Sequence, residues 1–178
     1  LHHRGQDTIG LSFIYNGKFK QLVYKTFSEL IDNSKIYKSN SILGHTKYTT
    51  SGQKNNSINQ PVNSTNNFGS YNLIYNGNIP MDEYNSENNY KNDTMMIIDY
   101  LDKNSYNCNS WKNILEKFIA HFDRAFNIII QTKNTMYVVK DNYGVRPLVY
   151  TYLKKSNTVT FSSESCVFDK NEIINEIS

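Results

Sequence analysis

The apolar run Tyr71-Asn72-Leu73-Ile74-Tyr75 ends in Asn76-Gly77. A side-chain amide directly before a residue with no side chain fits the need for two preorganised donors where an attacked carbonyl oxygen gathers negative charge. Read locally, the same dipeptide is also a common two-residue hairpin turn, and the chain holds another at Asn16-Gly17. Other residues able to do chemistry are scattered. Lys47 and Asp93 form a cation and anion pair of candidates, and Asp93, standing beside Asn92 at a helix start, could equally cap the helix or compensate its dipole. Thr50 is a hydroxyl in a strand-end loop, and Arg4 could simply bridge to Asp7. Cys108 and Cys166 are internal with no histidine nearby in sequence, so both thiols read as structural or incidental. His2, His3, His45 and His121 make no zinc-type spacing with these cysteines, and no metal or other cofactor is expected.

Periodicity supplies the elements that must position these groups. Gly10–Tyr15 alternates as a half-buried strand, Asn16-Gly17 turns it, and Phe19–Tyr24 returns. Phe27–Ile31 reads as a short helix capped by Thr26 or Ser28, and Ile42–Tyr48 as the next strand. Residues 52–69 are polar and rich in Asn and Ser, which predicts a loop containing Gln60-Pro61. Two amphipathic helices follow, one from Asp93 to Leu101 with Asn92 or Asp93 at its cap, the other begun by Ser110 and carrying Trp111, Leu115, Phe118 and Ile119. Ala125–Gln131, Thr135–Lys140, Leu148–Leu153 and Thr158–Ser163 then read as antiparallel strands.

The 178 residues suffice for one domain with a core. A net charge of +3, spread without a basic stripe, does not indicate nucleic-acid binding. No apolar stretch approaches the roughly 20 residues of a membrane span, and two cysteines without a signal-type start point to a cytoplasmic protein. The abundance of Asn makes the sequons at Asn63 and Asn92 expected by chance.

Several strings occur in the order of one family. They are Leu1-His2-His3-Arg4-Gly5-Gln6-Asp7, Gly44-His45-Thr46-Lys47-Tyr48-Thr49-Thr50, Gln60-Pro61, Asn76-Gly77-Asn78, Asn92-Asp93-Thr94, Asp141-Asn142-Tyr143-Gly144-Val145-Arg146-Pro147-Leu148 and Ser162-Ser163-Glu164-Ser165. On these residues the chain resembles the class II, N-terminal nucleophile, glutamine amidotransferases, and among them the glutaminase domain of amidophosphoribosyltransferase. The resemblance implies an α+β fold, a four-layer α-β-β-α sandwich of antiparallel sheets.

It also implies roles. The Asn76 side chain and the Gly77 backbone N–H would form the oxyanion hole, Gly at 77 also permitting a positive φ. Lys47 would hold the glutamine carboxylate, Asp93 its ammonium and Thr50 would assist, while Arg4 would lie beside the nucleophile. Two residues depart from the family pattern: Lys47 stands where it has arginine, and Tyr75 where it usually has histidine. The segments 141–148 and 162–165 are expected to be structural turns without chemistry. The family's nucleophile is a cysteine at the start of the mature chain, whereas this sequence begins at Leu1. The expectation is therefore a single domain over 1–178 that is incomplete at its N-terminus, missing its first strand and helix. No phosphoribosyltransferase domain is expected within it, since the glycine loop and acidic pyrophosphate-binding stretch of such a domain are absent.

The implied partners are glutamine and a phosphoribosyltransferase domain or subunit, with homo-oligomerisation open and neither nucleic acid nor membrane expected. Two other readings stay open: an inactive glutamine-binding or partner-binding relative, and the glutaminase domain of a glucosamine-6-phosphate-forming enzyme.

Overall fold

A computed structural model describes residues 1, 3, 5–32, 39–47, 58–84, 90–170 and 172–177. Strands β1 (Thr8–Tyr15) and β2 (Lys18–Tyr24) form the expected hairpin. Asn16 and Gly17 both take positive φ, 49° and 71°, the combination that matches a two-residue turn to the twist of its strands. Helix α1 (Phe27–Asp32) is capped by Thr26, whose Oγ1 accepts from the Glu29 N–H at 3.2 Å. Strand β3 (Ile42–Lys47) pairs on the free edge of β1, giving the order β2-β1-β3.

A second sheet has the order β4-β5-β6-β7, from β4 (Val62–Asn66), β5 (Gly69–Gly77), β6 (Phe126–Thr132) and β7 (Met136–Lys140). Between β5 and β6 the chain forms α2 (Met81–Tyr84), α3 (Asp93–Asn104) and α4 (Trp111–His121). The last strands, β8 (Val149–Leu153), β9 (Thr158–Ser162) and β10 (Asn175–Glu176), pair in the order β10-β8-β9.

Strand β4 corrects the loop expected over 52–69. Its polar residues are tolerable at a sheet edge because they find partners on β5 and on α3. Asn63 Nδ2 donates to the Tyr71 carbonyl at 3.0 Å, Ser64 Oγ to Asp102 at 2.7 Å, and the Thr65 and Ser70 hydroxyls meet at 2.9 Å. Residues 52–57 of that segment lie outside the described residues.

Strand alternation gives the central sheet two unlike faces. Tyr71, Leu73 and Tyr75 of β5 and Phe126, Ile128 and Ile130 of β6 enter one apolar core with Ile97, Leu101, Ile114 and Phe118 of the helices. Burying each such side chain contributes roughly 1.5–3 kcal/mol. Asn92 caps α3 by accepting from the Met95 N–H at 3.0 Å, and Ser110 caps α4 by accepting from Asn113 at 3.3 Å.

The opposite face meets the first sheet through polar groups. Gln131 Oε1 accepts from Ser12 Oγ at 3.1 Å and from Asn72 Nδ2 at 3.3 Å, and its Nε2 donates to Ser41 Oγ at 2.8 Å. Ser12, Asn72 and Gln131 have no solvent exposure. Among the described residues no helix is long and apolar enough to cross a membrane.

Gln131→Leu keeps the volume but orphans the buried partners on Ser12, Asn72 and Ser41. With about 1–3 kcal/mol for each unsatisfied group, urea denaturation is expected to show a loss of at least about 2 kcal/mol. Ser110→Ala, which removes only a cap, should cost about 1 kcal/mol. Equal effects would contradict the importance given to the inter-sheet network.

Candidate active site

Asn76 and Gly77 are not a turn. Both lie within β5, paired in register with Asn127 and Phe126 of β6. Alternation sends Asn76 to the polar face, where it lines a cavity of about 150 Å³ with His45, Thr46, Asn127, Ser162 and Ser163.

The Asn76 amide is held in one orientation. Its Oδ1 accepts from Arg146 Nη1 at 3.2 Å, so the Nδ2 donor is turned away from the guanidinium, and among the described residues no hydrogen bond uses it. Arg146 is itself fixed, its Nε donating to the Ala125 carbonyl at 3.2 Å. The loop carrying it is built by Asp141, which accepts from Phe126 N at 3.0 Å and from Tyr143 and Gly144 N at 2.8 and 2.9 Å. Gly144 supplies the positive φ, 64°, that this turn requires. Asn127 Nδ2 adds a bond to the Pro147 carbonyl at 2.9 Å. The segment 141–148, expected as a structural turn, is one, and through Arg146 it orients the Asn76 amide.

The direction of the Gly77 N–H follows from its neighbours. Phe126, its partner in register, exchanges its backbone bonds with Asp141 on the far side of β6. Tyr75 N, two residues earlier, points toward β4, where the strand has ended and Gln60 Oε1 takes it in place of a backbone carbonyl. Gly77 N–H points the same way as Tyr75 N. The need for glycine here is space, since the residue does not use the positive φ expected of it. A Cβ at 77 would fall 2.5 Å from the Tyr75 ring.

Tyr75 is 4% exposed and belongs to the helix-side core. Its hydroxyl lies near the Asp93 carboxylate without meeting hydrogen-bond geometry. Burial, reinforced by the Asp93 charge, pushes its phenol well above the ordinary value, so it stays neutral.

Asp93 is the first residue of α3 and not its cap. Its carboxylate accepts from Thr94 N at 2.9 Å and from Ile79 N at 3.4 Å, which ties the helix start to the chain leaving β5. Lys47 ends β3, and its ammonium donates to Asn59 Oδ1 at 3.4 Å. Partial burial lowers its pKa, opposed by the charge of Asp7. Lys47 is not among the described residues that line the cavity. Arg4 and Thr50 lie outside the described residues. Cys108 is half-buried and Cys166 exposed, both free, and neither lines the cavity.

His45 was missed as a site residue although its motif was recognised. Burial, with the nearby Lys47 charge, pushes its imidazole down to about 4, against a weaker opposing hydrogen bond with the Tyr75 backbone. Nδ1 is buried without a partner. Only the sheet packing, which no local pattern encodes, makes this histidine a neutral lining group.

Beyond the cavity a groove continues between Ile42–Gly44 of β3 and Thr158–Phe161 of β9, over Ile74 and Ile129. β3 and β9 are the edges of their respective sheets. Going along either strand leads from the groove to the cavity, so the two edges run in the same direction.

Because the folded pKa of His45 lies below its ordinary 6.5, the folded state holds fewer protons than the unfolded between about pH 4 and 6.5. Stability from this group is complete above that window and falls as pH drops through it, by up to about 3 kcal/mol. His45→Gln should flatten the pH dependence of urea midpoints over this range. Parallel profiles for the two proteins would refute the assignment.

A family model described as a glutamine amidotransferase domain matches residues 45–170. Amidophosphoribosyltransferase 1, chloroplastic, of Arabidopsis thaliana is 28% identical over 95% of this chain and 31% of its own length. The amidophosphoribosyltransferase of Synechococcus elongatus is 26% identical over 95% of this chain and 37% of its own. The chain therefore spans about a third of the length of these curated relatives. The glutamine phosphoribosylpyrophosphate amidotransferase of B. subtilis, solved with ADP and GMP, superposes with a TM-score of 0.77 at 23% identity, over 99% of this chain and 40% of that one. This likeness shows a shared α+β fold, in which the antiparallel sheets and helices described above take part. By its sequence match and its fold, the chain belongs to the glutamine amidotransferase family.

Proposed function

We propose that this domain splits the side-chain amide of glutamine and delivers ammonia to a phosphoribosyltransferase domain or subunit for purine-nucleotide synthesis. The observation that carries the reading is the Arg146–Asn76 bond, which commits the Asn76 oxygen and leaves its N–H group uncommitted among the described residues, next along the strand to Gly77, whose N–H points away from β6. Such a donor pair suits the oxyanion of an attacked amide carbonyl. The acceptor side rests on the amidophosphoribosyltransferase relatives, whose names supply it.

The nucleophile would be a thiol on an extended segment seated between β3 and β9. A strand antiparallel to both edges has its N-terminal end at the cavity, where Asn76 lies. An N-terminal cysteine there brings its own amine as base. Thiolate attack forms a C–S bond, and collapse of the oxyanion expels ammonia, which carries the transferred proton. Water then cleaves the thioester to glutamate and regenerates the thiol. Lys47 would pair with the substrate carboxylate and Asp93 with its ammonium, aided by Thr50, while Arg4 would favour thiolate. Lysine gives a single-point contact where arginine gives a planar fork.

In the complete enzyme, Asn76→Ala should lower glutaminase kcat by about 10²–10³ with little change in melting temperature. Normal turnover would remove the oxyanion assignment. Arg146→Met should lower kcat less than Asn76→Ala, and the double variant should be no worse than Asn76→Ala alone, because Arg146 acts through Asn76. Additive losses would show a separate role. Lys47→Arg should lower the KM for glutamine, and an unchanged or higher value would contradict the carboxylate contact. Absence of glutamate release in the complete protein, with glutamine binding retained, would favour the inactive relative.

A further inference from the structure

The fold brings His3, Glu164 and Cys166 together from opposite ends of the sequence. One imidazole nitrogen, one carboxylate oxygen and the Cys166 thiol all lie within 4.8 Å of one another. Among the described residues this is the one place where three such donors converge. The spacing along the chain concealed it, since His3 and Cys166 belong to segments that only the packing of β9 makes neighbours.

We infer that His3, Glu164 and Cys166 form a binding site for a borderline-soft divalent transition metal, zinc above all, at the rim of the cavity. The donor set selects the ion: a thiolate with an imidazole suits zinc, whereas calcium and magnesium require oxygen ligands. In a tetrahedral site, Zn–S and Zn–N bonds of about 2.3 and 2.0 Å set the sulfur and nitrogen roughly 3.5 Å apart. The three side chains need to draw in by about an ångström at most, and the exposure of His3 and Cys166 leaves them free to do so.

The backbone beneath two of the donors is already fixed. Glu164 N donates to Ser162 Oγ at 3.1 Å, and Phe168 N closes a turn onto the Ser165 carbonyl at 3.2 Å. Three protein ligands leave a fourth position for water, and binding releases the thiol proton to solvent. Leu1 and Ser163 both line the cavity that holds Asn76. A bound ion would therefore clamp residues 1–3 to residues 163–166 across that rim, whatever reaction the cavity serves.

Cobalt(II) is the probe, titrated into the chelator-treated, reduced full-length protein. The expected result is visible tetrahedral d–d absorption with a sulfur-to-cobalt charge-transfer band that saturates and that zinc displaces. Cys166→Ser should remove the charge-transfer band. His3→Ala and Glu164→Gln should each weaken cobalt binding by at least the roughly 10–100-fold that loss of a group merely supporting a ligand causes, while Cys108→Ser should leave it unchanged. Zinc should also raise the melting temperature of the parent protein and not of Cys166→Ser. A folded parent protein without the band, or a band that survives Cys166→Ser, would overturn the proposal. Because the readouts are spectroscopic and thermal, failure here leaves the glutaminase reading untouched, and loss of glutaminase activity leaves this one untouched.

Discussion

The alternation of β5 is the constraint on which the rest of the structure depends. One strand must bury Tyr71, Leu73 and Tyr75 against the helices and present Asn72, Ile74 and Asn76 to the opposite face. Pairing with β6 fixes the register, so a slip by one residue would put Asn76 into the apolar core and Tyr75 into the cavity. The anchoring of the site residue is thus the same physical fact as the packing of the core. Gly77 shows the coupling directly, because the ring that fills the core occupies the space a side chain at 77 would need.

The two faces are stabilised by different physics. On the helix side the attraction is apolar and tolerant of shape, carried by aromatic and branched residues such as Phe118, Phe126 and Ile130. On the sheet side it is a hydrogen-bond network centred on Gln131, in which each buried donor and acceptor depends on the others. A polar interface of this kind fixes one sheet on another in a single arrangement. That suits a cavity whose walls come from separate sheets, with His45 and Thr46 from the first, Asn76 and Asn127 from the second and Ser162 from the last.

Within the cavity, electrostatics depends on burial more than on formal charge. His45 is kept neutral by desolvation and by Lys47, and on the core side of β5 the Tyr75 phenol by desolvation and Asp93. The uncharged lining lets oriented dipoles such as the Asn76 amide act without competition from a nearby ionised group. Arg146 is the exception. It lies on the oxygen side of that amide, where a cation polarises the N–H outward.

The strands and helices were legible because local periodicity and capping suffice for them. The Asn16-Gly17 turn, the Asn92 and Ser110 caps and the antiparallel strands after residue 125 all appear where the pattern puts them. Strand β4 escaped because its polar residues are satisfied by Tyr71, Ser70 and Asp102, partners that exist only after folding. The same limit applies to the site. Sequence alone determined the family motifs, including Asn76-Gly77 and Asp93, because their residue types and order are carried in the chain itself. Tertiary structure decided that Asn76-Gly77 is strand and not turn, that Arg146 orients Asn76 and that His45 is neutral. Those properties are set by distances between segments far apart in sequence, and hydrogen bonding and desolvation act only at contact.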